Sequence, residues 1–270
     1  MEKNQIISLS SFLTKEFLYY NLDDLTKLIY SIINYHLLNN QSKTTIYKND
    51  QVEDSKITTL FVLLHGLKSY PKIWSNHIKI IKEKYPTAII YAPEIEYRGN
   101  NTLKSTSEGV LSFVKQLDSQ YQFNNIVFIG TSNGNRIIHY VRHYLNQDFE
   151  NNKRLVKMLI ISLAGFYHGV PLINWLNQHW ISKKVLHKLY HSSIIEDYCK
   201  TDSFDLSWLV PEDTFYIGAY NDTRLIPPKS SIPLELNPKF WYLDFFSGHG
   251  SIVSNTIKEQ FEWLNKKLTI

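Results

Sequence analysis

At the centre of the sequence stands Phe128-Ile129-Gly130-Thr131-Ser132-Asn133-Gly134-Asn135. The apolar run that begins at Ile126 stops at Gly130, and a helical pattern begins at Arg136. This order is typical of a strand, a tight turn and a helix, and the turn reads Gly-x-Ser-x-Gly. Glycines on either side of a serine let the strand and the helix pass close together, so the serine can be held on a strained bend. The motif therefore predicts that Ser132 is a nucleophile raised clear of the backbone.

The helix that follows Ser132 supports this interpretation. Its first N–H groups have no partners within the helix, so they form a positive end suited to an oxyanion. The alternative is a chance match, because glycine and serine are both common residues. An apolar strand before the turn and a helix after it are the context that the motif requires, and they favour a catalytic serine.

The composition argues against several classes of protein. With 270 residues, of which 43% are hydrophobic, the chain can bury a large core. The net charge is +4 and the lysines are scattered, which does not indicate a nucleic-acid partner. Cys199 is the single cysteine, which excludes an intramolecular disulfide, and the sequence has no Cys-x-x-Cys or His-Glu-x-x-His spacing. We expect neither a metal nor a cofactor.

The apolar runs also bear on location. None reaches the roughly 18 uninterrupted residues that a membrane-spanning helix needs. The short run after Lys3 is interrupted by serines and lacks a small-residue cleavage site, which argues against a cleaved signal peptide. We expect a cytoplasmic protein without a transmembrane segment and with at most peripheral membrane contact. Export without a cleaved leader is the alternative, and the sequence does not indicate an oligomeric state.

Apolar runs and helical patterns alternate along most of the chain. Strands are predicted at 57–64, 88–91, 126–129, 155–163, 214–219 and 240–243, with a further short strand at 44–48. Helices are predicted at 71–85, at 107–121, from Ser132 to about 146, and at 251–267. This alternation predicts an α/β fold with a mostly parallel sheet and helices on both faces.

Two segments fall outside the alternation. Residues 12–38 carry apolar side chains at helical spacing and predict an N-terminal helical segment over 1–45. The stretch at about 165–210 is rich in tryptophan, tyrosine and leucine and is too long for an ordinary connection. We interpret it as a helical cap over the carboxyl ends of the strands, within a catalytic domain that spans 46–270.

A serine hydroxyl needs a base to take its proton and a carboxylate to orient that base. Among ten histidines, His249 is the best placed, because it lies in a glycine-flanked loop between the last strand and the last helix. For the carboxylate we choose Asp222, which follows a strand and precedes a turn that contains proline. The order along the chain is then Ser132, Asp222, His249. The competing carboxylates are Asp205, Asp213 and Asp244.

The oxyanion formed when Ser132 attacks a carbonyl needs donors that already point at it. One candidate is the backbone N–H of Asn133, at the start of the helix. The other is the N–H of Leu67, which follows His65-Gly66 at the end of a buried strand. The alternative is that His65-Gly66 forms an ordinary turn. Its position at a strand end, well before the serine, favours an oxyanion hole made by Leu67 and Asn133.

Together these motifs resemble the α/β-hydrolase superfamily, and most of all its bacterial lipase and esterase members with a helical cap. The resemblance rests on His65-Gly66-Leu67, the turn around Ser132, the stretch 218–231 and the loop around His249. It covers about 45–270 and implies a mainly parallel sheet of about eight strands with Ser132, His249 and Asp222 as the catalytic residues. The chain departs from the family pattern at Thr131, where histidine is frequent, and at Asn135, where a third glycine is frequent.

The leading functional prediction is a serine hydrolase that cleaves carboxylic esters through an acyl-enzyme. The expected substrate is a small-molecule ester or a lipid-like one. The apolar cap indicates a lipid-like or aromatic acyl group, although its aromatic residues could equally pack against the body of the protein. An acyltransferase or a thioesterase would use the same three residues, so the sequence leaves these open. A catalytically silent, hydrolase-like binding protein is the alternative from another class.

Overall fold

The computed structural model describes residues 43–200, 204–222 and 231–268. The predicted helices within 12–38 lie outside this part of the chain. Within it, no helix is both long and apolar enough to cross a membrane.

The described residues form one sheet of seven strands in the order β1-β3-β2-β4-β5-β6-β7. β1 pairs antiparallel with β3, and every other pair is parallel. The predicted mostly parallel sheet is therefore confirmed, with seven described strands against about eight expected. The strands are β1 Thr45–Tyr47, β2 Thr59–Leu64, β3 Ala88–Ala92, β4 Asn125–Thr131, β5 Lys157–Leu163, β6 Thr214–Ala219 and β7 Phe240–Asp244.

Helices cover both faces of the sheet, as an all-parallel centre requires. The α-helices are α1 Ser75–Lys84, α2 Leu103–Tyr121, α3 Asn133–Asn151, α4 Pro171–Gln178, α5 Trp180–Leu189, α6 Ser192–Cys199, α7 Ile252–Asn255 and α8 Ile257–Leu268. Successive side chains of a strand point to opposite faces. In β2, Phe61 and Leu63 pack into the core that α1 and α8 cover. Leu60, Val62 and Leu64 pack into the core that α2 and α3 cover.

Two of the helices that differ from their predicted bounds do so for local reasons. α2 begins before 107 because the Thr102 hydroxyl caps it and accepts a hydrogen bond from the Ser105 N–H at 3.2 Å. The predicted helix at 251–267 is broken into α7 and α8 at Thr256. The Thr256 hydroxyl donates to the Ile252 carbonyl at 2.7 Å, a side-chain bond of the kind that bends or interrupts helices.

Helices α4 to α6 lie between β5 and β6, within the segment expected to form a cap. Arg136 on α3 fixes this layer to the body of the protein. Its Nη1 lies 2.8 Å from Oδ2 of Asp197 on α6. The helix that follows the candidate nucleophile therefore contacts, one turn after its start, the helical segment between β5 and β6.

Candidate active site

Ser132 lies on a strained turn between β4 and α3. Its backbone has φ 52° and ψ −126°, a left-handed φ that is uncommon for a residue with a Cβ atom. A Cβ on Gly134 would lie 2.4 Å from the Leu64 carbonyl oxygen, and one on Gly130 would lie 2.4 Å from Cδ1 of Ile138. Position 134 therefore requires glycine, for the reason that the motif predicted: the helix passes directly against the strands. At Gly130 the nearest atom is the end of the Ile138 side chain, and the nearest backbone atom is the Asn135 N at 3.2 Å.

His249 and Asp222 are hydrogen-bonded to each other. His249 Nδ1 lies 2.6 Å from Asp222 Oδ2, and the two residues are 5% and 1% exposed. Because an ionised carboxylate only accepts hydrogen bonds, the proton of this bond belongs to His249 Nδ1. The other ring nitrogen, Nε2, is then the one that can accept a proton. The competing Asp244 instead accepts a hydrogen bond from the Tyr242 hydroxyl at 3.2 Å.

Backbone hydrogen bonds connect the serine turn to the loops that carry the other two residues. Ser132 N donates to Leu163 O at 3.0 Å, and the next residue of that strand end, Ala164, donates to Ile217 O at 2.8 Å. Asn221 N donates to Ser247 O at 3.2 Å. These bonds cross the sheet from the end of β4 to the ends of β6 and β7. The structure thus brings the three predicted residues to one edge of the sheet.

The buried ring of His65 holds the turn beside Ser132. Its Nδ1 lies 2.9 Å from Gly66 O, and its Nε2 accepts a hydrogen bond from Ile95 N at 3.2 Å. Burial lowers the pKa of His65 to about 4, so the ring is neutral and donates from Nδ1. A Cβ on Gly66 would lie 3.0 Å from the Ser132 Cβ, which places this turn directly against the serine.

Leu67 and Asn133 meet at a loop whose role the sequence did not indicate. Tyr97, Arg98 and Gly99 all have positive φ angles, of 50°, 51° and 74°. A Cβ on Gly99 would lie 3.9 Å from the Leu67 Cα and 3.3 Å from Asn133 Nδ2, which also donates to Gly99 O at 3.3 Å. The two predicted oxyanion donors therefore lie on either side of one glycine. Tyr97 and Arg98 adopt left-handed backbone angles without being glycines, so nothing in the sequence indicates this conformation.

Asn135 is a second residue that sequence reasoning missed. Its side-chain Nδ2 donates to Leu163 O at 3.0 Å, the carbonyl that also accepts from Ser132 N. The amide therefore strengthens the turn at the position where the family pattern has a third glycine. Its departure from the family pattern was the only feature of the sequence that pointed to a structural role for Asn135. In the described ranges, no group of three or more His, Cys, Asp or Glu side chains could hold a metal ion.

The chain has the α/β-hydrolase fold. The features that define it are the mostly parallel sheet, the serine turn after the central strand, the Asp and the His after later strands, and a helical insertion. Solved structures with this fold are similar to the chain. MGS-MChE2, an alpha/beta hydrolase enzyme from a metagenome of lagoon sediments at Mar Chica, Morocco, matches with a TM-score of 0.53 and 15% identity, over 86% of this chain and 99% of that chain.

Two further structures match at similar levels. A lipase-esterase related protein from Clostridium acetobutylicum matches with a TM-score of 0.52 and 17% identity, over 82% of this chain and 98% of that chain. A peroxisomal alpha-beta-hydrolase from Saccharomyces cerevisiae matches with a TM-score of 0.52 and 12% identity, over 84% of this chain and 81% of that chain. No family model matches the sequence, and no curated protein is significantly similar to it.

Proposed function

We propose that the protein is a serine hydrolase that cleaves carboxylic esters, with Ser132 as nucleophile, His249 as base and Asp222 as the carboxylate that orients the base. The observation that carries the proposal is the 2.6 Å hydrogen bond between two buried side chains, His249 and Asp222. A buried imidazole that is hydrogen-bonded to a carboxylate, at the sheet edge where a serine lies on a strained turn, suits nucleophilic catalysis. A structural pair alone would not need the backbone strain at Ser132.

The proposed reaction follows from the direction of the hydrogen bonds. Asp222 fixes the proton of His249 on Nδ1, so Nε2 takes the proton of the Ser132 hydroxyl as its oxygen attacks the acyl carbonyl carbon. The N–H groups of Leu67 and Asn133 stabilise the oxyanion. His249 then protonates the leaving alcohol, and an acyl-enzyme remains on Ser132. Water, deprotonated by His249, attacks this ester; the bond between the acyl group and Ser132 breaks, His249 returns the proton to the Ser132 oxygen, and the carboxylic acid is released.

His65 would act as a positioning residue in this reaction. A neutral ring that bonds both Gly66 O and Ile95 N fixes the Leu67 N–H relative to the serine. Donors of an oxyanion hole stabilise the transition state only if they already point at the oxyanion before the reaction. The proposal therefore includes the deep burial of His65 as part of the site.

A fluorophosphonate probe tests the proposal directly, because it reacts covalently with activated serines. We expect the wild-type protein to be labelled and Ser132→Ala to remain unlabelled. Ser119→Ala, which changes an exposed serine near the C-terminal end of α2, is the matched control and keeps full labelling. Failure to label the native protein, or equal labelling of Ser132→Ala, would favour the silent binding protein.

Two further measurements separate the remaining alternatives. Turnover of p-nitrophenyl esters of increasing acyl length distinguishes short esters from lipid-like ones. A rate that does not increase beyond about eight carbons argues against a lipid-like acyl group, since each buried CH₂ is worth about 0.8 kcal/mol. Product analysis with competing alcohols and thioesters then separates hydrolysis from acyl transfer and thioester cleavage.

A further inference from the structure

Helices α4 and α5 turn large apolar side chains toward solvent. Trp175 on α4 is 55% exposed, and Trp180 at the start of α5 is 70% exposed. Val185 and Leu189 on α5 are also exposed. Among the side chains of α5 that the structure describes, Leu186 is the buried one. Large apolar side chains grouped on a surface mark a site of interaction.

The same surface is positively charged. Lys183, Lys184 and Lys188 on α5 are exposed, and the Lys184 Nζ lies 4.1 Å from the centre of the Trp180 ring. The sequence contains no acidic residue between Glu150 and Glu196. The lysines therefore have no neighbouring carboxylates along this segment to neutralise them. We call this surface the cap patch; it consists of Trp175, Trp180, Lys183, Lys184, Val185, Lys188 and Leu189.

We propose that the cap patch binds a membrane surface that contains anionic phospholipids. Tryptophan rings prefer the boundary between water and hydrocarbon, where their apolar area is buried and the ring N–H remains hydrated. Lysines beside them gain from the negative potential of anionic headgroups, and their long stems let the ammonium groups reach that layer. The exposed aliphatic residues Val185 and Leu189 fit acyl chains and offer nothing to a nucleic acid.

The cap patch is connected to the sheet edge that carries the candidate active site. The residue after α5, Tyr190, places its ring 4.5 Å from Nζ of Lys68, which directly follows Leu67. His191 N then donates to Asn100 Oδ1 at 2.9 Å. A protein bound through the cap patch would therefore hold this edge close to the lipid surface. The binding itself is measured without turnover, so its test does not depend on the proposed hydrolase activity.

Co-sedimentation of the full chain with vesicles tests the proposal. One set of vesicles contains phosphatidylcholine alone, and the other contains equal parts of phosphatidylcholine and phosphatidylserine. We expect binding to the anionic vesicles that weakens as salt is raised, because salt screens charges at a surface. Replacing Lys183, Lys184 and Lys188 together by glutamine should weaken binding by about a hundredfold, at about fivefold for each lysine near the surface.

The aromatic part of the cap patch is tested by Trp175→Ser with Trp180→Ser. This double variant should lose binding to anionic vesicles, together with the blue shift of tryptophan fluorescence that accompanies it in the wild type. The matched control is Trp241→Ser, because Trp241 on β7 is 52% exposed and lies outside the cap patch. Lys79→Gln, on the exposed face of α1, is the control for charge. Urea unfolding midpoints check that every variant is folded.

Four outcomes would overturn the proposal. One is a wild-type protein that stays in the supernatant with both kinds of vesicle. Another is equal loss of binding in Trp241→Ser and in the double tryptophan variant. The third is self-association in gel filtration that Trp175→Ser with Trp180→Ser abolishes, which would show that the cap patch binds a second copy of the chain. Binding to an oligonucleotide that survives the tryptophan changes and disappears with the lysine changes would likewise count against lipid.

Discussion

Asp197 lies outside the candidate active site, and replacing it by alanine should lower the free energy of unfolding. The change leaves the guanidinium of Arg136, which is 1% exposed, without its carboxylate. The Arg136 Nη1 and the Asp197 Oδ2 lie 2.8 Å apart and form an ion pair. Arg136 also lies 5.1 Å from the Phe166 ring centre and 5.5 Å from that of Phe204.

These contacts set the expected size of the effect. Removing one partner of a fully buried ion pair costs about 3–5 kcal/mol, because an unpaired charge stays buried. The Asp197 side chain is 23% exposed, so water reaches the pair and we expect the lower limit, about 3 kcal/mol. Arg136→Met keeps much of the apolar volume and leaves an aspartate that water can hydrate. It should cost about 1 kcal/mol, mainly from lost cation–π contact with the two rings.

Urea unfolding of the two single variants and the double variant provides the assay. Asp197 makes further interactions, so the double-mutant cycle rather than the single change isolates the pair. The double variant should be destabilised by about 2 kcal/mol less than the sum of the single changes. If the two effects add within about 0.5 kcal/mol, or if Asp197→Ala costs less than Arg136→Met, the ion pair does not stabilise the protein as proposed here.

Three further predictions follow from the site and the core. Asp222→Asn should lower kcat by about four orders of magnitude, because an amide no longer fixes the Nδ1 tautomer of His249; a loss below about tenfold in ester turnover would contradict that role. Gly134→Ala should lower the free energy of unfolding by about 1–3 kcal/mol, since its Cβ would lie 2.4 Å from a backbone oxygen, and an unchanged urea midpoint would exclude this close approach. His77 donates from Nε2 to Gln260 at 2.8 Å, and burial lowers its pKa from 6.5 to about 4. Its contribution to stability is therefore complete above pH 6.5 and is lost as the pH falls towards 4, at about 1.4 kcal/mol per pH unit. His77→Asn should make the unfolding free energy, measured by urea titration at pH 6 and pH 5, less dependent on pH by about that amount, and equal slopes would show that another group is responsible.

The sequence was informative where one local pattern has one physical solution. The apolar run before Gly130 is short and rich in β-branched residues, which favours a buried strand, and the Gly-x-Ser-x-Gly sequence at its end favours a tight turn into a helix. Asp222 lies in a loop after a strand, whereas Asp244 lies at the end of a strand only five residues before His249, which leaves the two side chains little freedom to meet. The hydrogen bond from His249 to Asp222 agrees with the choice of Asp222.

Contacts between distant segments could not be read in this way. The amide of Asn135 reaches Leu163 O across the sheet edge, and nothing in its neighbours along the chain indicates that partner. The break at Thr256 depends on one hydroxyl that bonds within the helix instead of with solvent. The aromatic cap residues posed the same difficulty. Their apolar character indicated burial in a pocket or against the body, whereas Trp175 and Trp180 face solvent.

That exposure has a cost that the fold does not require. A helix as short as α5 gains little stability of its own, so tertiary packing must hold it in place. Of its described side chains, only Leu186 is buried, and contacts that hold the segment between β5 and β6 in place are made by Ile173 on α4, Asp197 on α6 and His191 after α5. Serine or glutamine at the tryptophan positions would hold the same backbone and be hydrated more easily. Large rings among lysines lie at the surface, beside the edge that carries Ser132 and His249. A lipid partner for that surface would explain their presence there. The fold alone gives no reason for it.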